Sequence, residues 1–207
     1  MSNLWDCAFL YEPEFESLRS ECKPVGIGGD FRVDFIFRHN NDSNNATDWI
    51  FGEEKPASAS KGEVLNDTRK CESMRELTLE LWQNQCGQQK RALLEKYLEA
   101  VSVQWRGTYG TIYGTKVIFV PRNQATLPVY IHYHKATINI MGSGHPQKFE
   151  FLAKCIQTVL AVKRDTILRQ KQYMLLANTA CADGDTALSD LEEKLADETK
   201  TFQEMYC

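Results

Sequence analysis

The sequence has no apolar run approaching the ~20 residues that cross a bilayer, so no membrane partner is expected. Met1-Ser2-Asn3-Leu4-Trp5-Asp6 has neither the basic nor the apolar region of a secretory signal, and the expected location is intracellular, nuclear or cytoplasmic. The cysteines are odd in number, seven, widely spaced and without a Cys-x-x-Cys pair. That argues against a zinc ribbon or a disulfide framework and for reduced thiols. Gly26-Ile27-Gly28-Gly29 is followed by no Gly-Lys-Ser/Thr, which excludes a phosphate loop. Internal repeats and low-complexity tracts are also missing, so a solenoid is not expected. What remains is a chain of 207 residues, 43% hydrophobic and 25% charged. Such a chain can bury a core without staples.

Charge is unevenly placed. The net charge is −4, with −4 in residues 1–22, −6 in residues 183–207 and therefore +6 between them. A mildly basic middle is compatible with a nucleic-acid partner, DNA or RNA. Lys163, Arg164, Arg169 and Lys171 put positive charge on one long helix and are the candidate phosphate contacts.

The pattern of apolar residues predicts the elements. Residues 8–22 read as a short acidic helix through Phe15, Leu18 and Cys22, followed by a breaker-rich connection that can hold a short strand near 23–28. Residues 31–38 alternate apolar and polar, which predicts a strand with Asp34 on the face opposite Phe35 and Phe37. A polar turn at 39–47 leads to a second strand at 48–55, stopped by Pro56. Helices are expected to about residue 84, from a cap at Asn66 or Asp67, and again over 88–103. Strands follow within 107–120 and 129–140, then a long helix over 147–177. His132 and His134 share one strand face but have no third ligand at metal-site spacing. Residues 178–207 are expected to be a linker and an acidic amphipathic helix through Leu188, Leu191, Leu195 and Phe202, separate from a domain spanning 1–177. The fold class is α/β, a central mixed sheet flanked by helices.

The chemistry concentrates in Asp34 and Glu53-Glu54-Lys55. Glu53 and Lys55 are two apart on a strand and project from one face. Adjacent strands joined by a turn can bring Asp34 beside Glu53. Two carboxylates so placed form a hard-oxygen site for Mg²⁺ or Mn²⁺. Such an ion polarises a phosphoryl oxygen and lowers the pKa of a bound water. A nearby lysine orients or deprotonates that water and offsets charge in the transition state.

Asp34 in Arg32-Val33-Asp34-Phe35-Ile36-Phe37, with Glu53-x-Lys55 in Gly52-Glu53-Glu54-Lys55-Pro56, resembles the PD-(D/E)XK nuclease superfamily. The context also looks like uncharacterised fungal members of it. The resemblance implies a restriction-endonuclease-like core of helix, three strands, helix, strand, helix, with Asp34, Glu53 and Lys55 catalytic and Asp34 and Glu53 binding the metal. It also implies help from a first-helix glutamate (Glu12, Glu14, Glu16 or Glu21) and from a residue of the next helix (Lys70, Arg75 or Gln83). The expected function is divalent-metal-dependent hydrolysis of phosphodiester bonds in DNA or RNA. The alternatives are a catalytically inactive nuclease-fold binding or regulatory subunit, and an interaction domain. The interaction domain would form a homodimer or bind a protein partner through its C-terminal helix.

Overall fold

The computed structural model describes residues 3–40, 46–123, 125–141, 144–179 and 185–206. In chain order it contains α1 (Asn3–Phe9), β1 (Phe15–Cys22), β2 (Val33–His39), β3 (Thr47–Lys55) and α2 (Lys61–Cys86). A 3₁₀ turn at Gln88–Lys90 leads to α3 (Arg91–Tyr97), β4 (Ala100–Arg106), β5 (Tyr109–Arg122), β6 (Ala125–Asn139), α4 (Lys148–Asn178) and α5 (Asp185–Tyr206). The six strands form one mixed sheet in chain order, β1 to β6. Every neighbouring pair is antiparallel except β3 and β4. A parallel pair needs a long crossover, and α2 with α3 supplies it.

Strand alternation assigns the two faces. Phe35 and Phe37 of β2 point toward α1, where Phe37 lies 4.9 Å from Phe9 and 6.3 Å from Trp5 between ring centroids. Ile36, on the other face, packs with Phe51 and with Met74 of α2. Asp34 therefore looks toward α2. Gly52 is required where it stands, because a Cβ there would meet Phe35 Cε1 at 1.8 Å. The Phe35 ring lies across the β3 backbone just before Glu53. Helix α2 starts with a capping box: Glu63 N–H donates to Ser60 Oγ at 3.2 Å, and Ser60 N–H donates to the Glu63 carboxylate at 2.7 Å. A cap of this kind stabilises a helix by ~1 kcal/mol.

Several expectations are corrected. Residues 15–22 are strand, not helix: β1 pairs with β2 along the sheet edge, with a register shift between Arg19 and Cys22. Ser20 and Glu21 have φ of 65° and 54° there, which spoils the alternation that marks a strand. No strand forms over 23–28. The cap is Ser60, so Asn66 and Asp67 lie inside α2. Residues 100–103 belong to β4 rather than to a helix.

Helix α5 forms, but its Leu191, Leu195 and Phe202 are buried in the same core as α4 residues Tyr173 and Leu176. Glu192 pairs with Lys96 at 2.7 Å and Glu198 with Lys171 at 3.0 Å. The apolar face reserved for a partner is thus covered within the chain. The middle of the polar turn, 41–45, and of the linker, 180–184, lie outside the described residues. Among the described residues, no helix is long and apolar enough to cross a membrane.

Candidate active site

The sheet register builds the site in rows. Phe35 of β2 stands opposite Gly52 of β3, and one residue further along each strand toward the site are Asp34 and Glu53. In the parallel pair Glu53 aligns with Gln104 and Lys55 with Arg106. On the far side Gln104 pairs with Thr111 and Arg106 with Tyr109. Residues aligned across a sheet share a face. One row is therefore Asp34, Glu53, Gln104 and Thr111, and the next is Lys55, Arg106 and Tyr109. The first turns of α2 cover this floor with Val64, Asp67 and Thr68, leaving a pocket of about 210 Å³ lined by Glu53 and Lys55. It sits at the carboxyl end of the parallel strands, where α/β sheets commonly bind ligands.

The charges are tightly coupled. The Glu53 side chain is only 3% exposed, and Lys70 Nζ stands 2.5 Å from its Oε1. Lys70 also donates to the Arg32 carbonyl at 2.8 Å. Lys55 Nζ lies 3.8 Å from Glu53 Oε2 and 3.5 Å from Asp67 Oδ2. Asp34 Oδ2 accepts the Glu54 N–H at 2.7 Å, which ties the two strands together at the motif.

Burial pushes the Glu53 carboxyl up to about 7; Lys70 opposes the shift, while Asp34 and Asp67 add to it. For Lys55, burial alone would lower the pKa, but Asp67, Glu53 and Asp34 prevail and raise it. Near neutral pH the site therefore holds a carboxyl in mid-titration and a fully protonated lysine. Lys55 is a donor, able to orient a water or contact a phosphoryl oxygen.

Of the predicted residues, Asp34, Glu53 and Lys55 converge, and Lys70 joins them. Arg75, further along α2, is buried beneath the pocket: its Nε donates to Thr115 Oγ1 at 2.7 Å and its Nη1 to Ser102 Oγ. Its guanidinium lies 5.7 Å from the Tyr113 ring. Gln83, near the far end of α2, does not line the pocket. Nor do Glu12, Glu14, Glu16 and Glu21; Glu12 pairs with Lys163 at 2.7 Å and Glu14 with His39 at 3.2 Å.

The α4 cations do not gather at the site either. Lys163 is held by Glu12, Arg169 by Glu99, and Lys171 by Glu198. Arg164 lines a separate groove with Leu160 and Ile167. His132 is engaged by Glu76 at 2.9 Å and Thr115 at 2.8 Å, and His134 by Thr137 at 2.8 Å.

Two residues of the site, Asp67 and Gln104, escaped sequence reasoning. A signal existed for the first: Asp67, Lys70 and Cys71 are spaced for one helix face, so polar groups stood where core residues were expected.

Among the described residues, no cluster of three or more His, Cys, Asp and Glu side chains is arranged to hold a metal ion. Glu53 and Asp67 line the pocket, and Asp34 is near enough to Glu53 to act on its charge; a donor set this sparse would suit only an ion that keeps most of its waters. Comparison with protein-family models, curated proteins and solved structures finds no match for this chain.

Proposed function

We propose that this pocket is a divalent-metal-dependent phosphodiesterase site for DNA or RNA, on a restriction-endonuclease-like core of the PD-(D/E)XK type. One observation carries the reading. Asp34 follows Phe35 on β2 as Glu53 follows Gly52 on the neighbouring strand, and Lys55, two residues on, shares that face and lines the pocket with Glu53. The element order is compatible with the family core: α1, three strands, α2, β4 and later α4. The sheet adds β5 and β6 to it.

Asp34 and Glu53 would hold Mg²⁺ or Mn²⁺, and the ion would supply Lewis-acid stabilisation and a more acidic water. Glu53 must lose its proton to bind a cation, so the raised pKa sets a threshold near neutrality. Lys55, kept protonated by three carboxylates, offsets charge on the phosphoryl oxygens. Asp67 positions Lys55, since it lies closer to Nζ than Glu53 does. Arg75, Ser102 and Thr115 stiffen the floor.

The test is incubation of the full chain with mixed single-stranded and duplex DNA and RNA in Mg²⁺ or Mn²⁺. Cleavage by the wild type, lost in Glu53→Gln and Lys55→Ala, is the expected result. Absence of cleavage with every substrate overturns the reading. A second reading, the same fold used for binding without catalysis, is favoured by Lys70. Its ammonium already sits on Glu53 Oε1 at 2.5 Å, where a metal would compete with it.

A further inference from the structure

We infer that the pocket beside Glu53 and Lys55 receives one unstacked nucleobase, which makes single-stranded nucleic acid the substrate class; this rests on the phosphodiesterase reading above. The pocket, at about 210 Å³, is smaller than the roughly 300 Å³ at which drug-sized ligand sites begin. It suits a single planar heterocycle. Its cations are already engaged: Lys55 stands beside Glu53 and Asp67, and Arg106, also in the wall, donates to the Ala57 and Ala59 carbonyls at 3.2 and 2.8 Å.

What the pocket does offer is aromatic. Tyr109 is 47% exposed at its rim, and Tyr113 lies further in on the same face of β5. Tyr113 is held by Arg75 and by His134, whose ring meets it edge-on at 6.2 Å. Gln104 adds a polar side chain to the wall, its Oε1 3.1 Å from the Thr68 hydroxyl, which also donates to the Val64 carbonyl at 2.8 Å. Stacking needs a base already out of a duplex and is tolerant of sequence. A base stacked on Tyr109 would lie over the row that holds Lys55 and Arg106.

The experiment is equilibrium titration of the full chain, without divalent ion, against a single-stranded 12-mer carrying one 2-aminopurine and against the same 12-mer as a duplex. The expected result is a change in 2-aminopurine fluorescence and about tenfold tighter binding of the single strand. Tyr109→Ala should lose about tenfold of that affinity and Tyr109→Phe should keep it. Tyr109 is half exposed beside a turn, so its removal spares the core. Equal affinity for both forms, with Tyr109→Ala silent, overturns the inference. A parallel Mn²⁺ cleavage assay separates the two ideas. Stacking without cleavage removes the phosphodiesterase reading and leaves the base pocket. Cleavage with no effect of Tyr109→Ala removes the base pocket alone.

Discussion

Strand β3 and helix α2 meet at two ends, and the two junctions are built from opposite materials. At the start of β3, Trp49 lies 4.7 Å from Trp82 of α2, and Tyr173 of α4 lies 5.8 Å from the first ring and 5.6 Å from the second. At the end of β3, Glu53 and Lys55 meet Asp67 and Lys70. Aromatic burial is favourable in itself. Buried ion pairs gain little net stability, because desolvation offsets their attraction. The contrast teaches that one end anchors the crossover while the other fixes opposite charges beside a pocket.

Breaking the aromatic end should have the largest effect. Trp82→Ala is expected to cost about 3–5 kcal/mol, read from denaturant unfolding, and to leave cleavage by the folded fraction intact. A loss below about 1 kcal/mol would mean that the cluster does not anchor the crossover. At the charged end, Lys55→Ala should lower turnover about 100- to 1000-fold, the scale for removing one group that stabilises transition-state charge. Its unfolding midpoint should move little. A Lys55→Ala protein with near-normal turnover would show that the lysine is only Asp67's partner.

Proton linkage sharpens the contrast. The Glu53 carboxyl, raised from 4.5 to about 7, binds its proton more tightly folded than unfolded. Its stabilising contribution is complete below pH 4.5 and is lost as pH rises through about 7. The slope is at most about 1.4 kcal/mol per pH unit. Glu53→Gln should flatten that part of the stability–pH curve, whereas Trp82→Ala should lower the curve without changing its slope. An unchanged slope in Glu53→Gln would place the titration elsewhere. A smaller effect is expected of Lys70→Gln: removing the ammonium that competes with a cation should tighten Mn²⁺ binding several-fold, by calorimetry. Weaker binding would make Lys70 a support rather than a competitor. Smallest of all, Lys163→Ala with Lys171→Ala should change single-strand affinity less than twofold, because both lysines are held by acids of the same chain.

The two ends were not equally legible in the sequence. The motif was, because β2 and β3 keep simple parity on its side of the register shift between Phe37 and Arg38: Asp34 alternates with Phe35, and Glu53 with Glu54, so the shared face followed from counting. Residues 15–22 misled because Phe15, Leu18 and Cys22 fall three and four apart by accident, while the strand that holds them is bulged at Ser20 and Glu21. Strand β4 was hidden for a different reason. Lying between β3 and β5, its first four residues are all buried, so no alternation marks them, and Leu94, Leu98 and Val101 extend a helical pattern past its true end at Tyr97. Gln104 was lost with it. The fate of α5 was not legible, since an amphipathic helix looks the same whether it docks on its own chain or on another. That α4 holds it is a matter of tertiary packing.

The central claim is that Asp34 and Glu53 together hold one divalent cation, and calorimetric titration of Mn²⁺ into the full chain tests it most directly. Wild type should bind one ion, about tenfold more tightly at pH 8 than at pH 6 as Glu53 gives up its proton. Asp34→Asn and Glu53→Gln should each abolish the binding, and Glu54→Gln should leave it unchanged. No binding by the wild type, or binding that survives both Asp34→Asn and Glu53→Gln, would contradict the account.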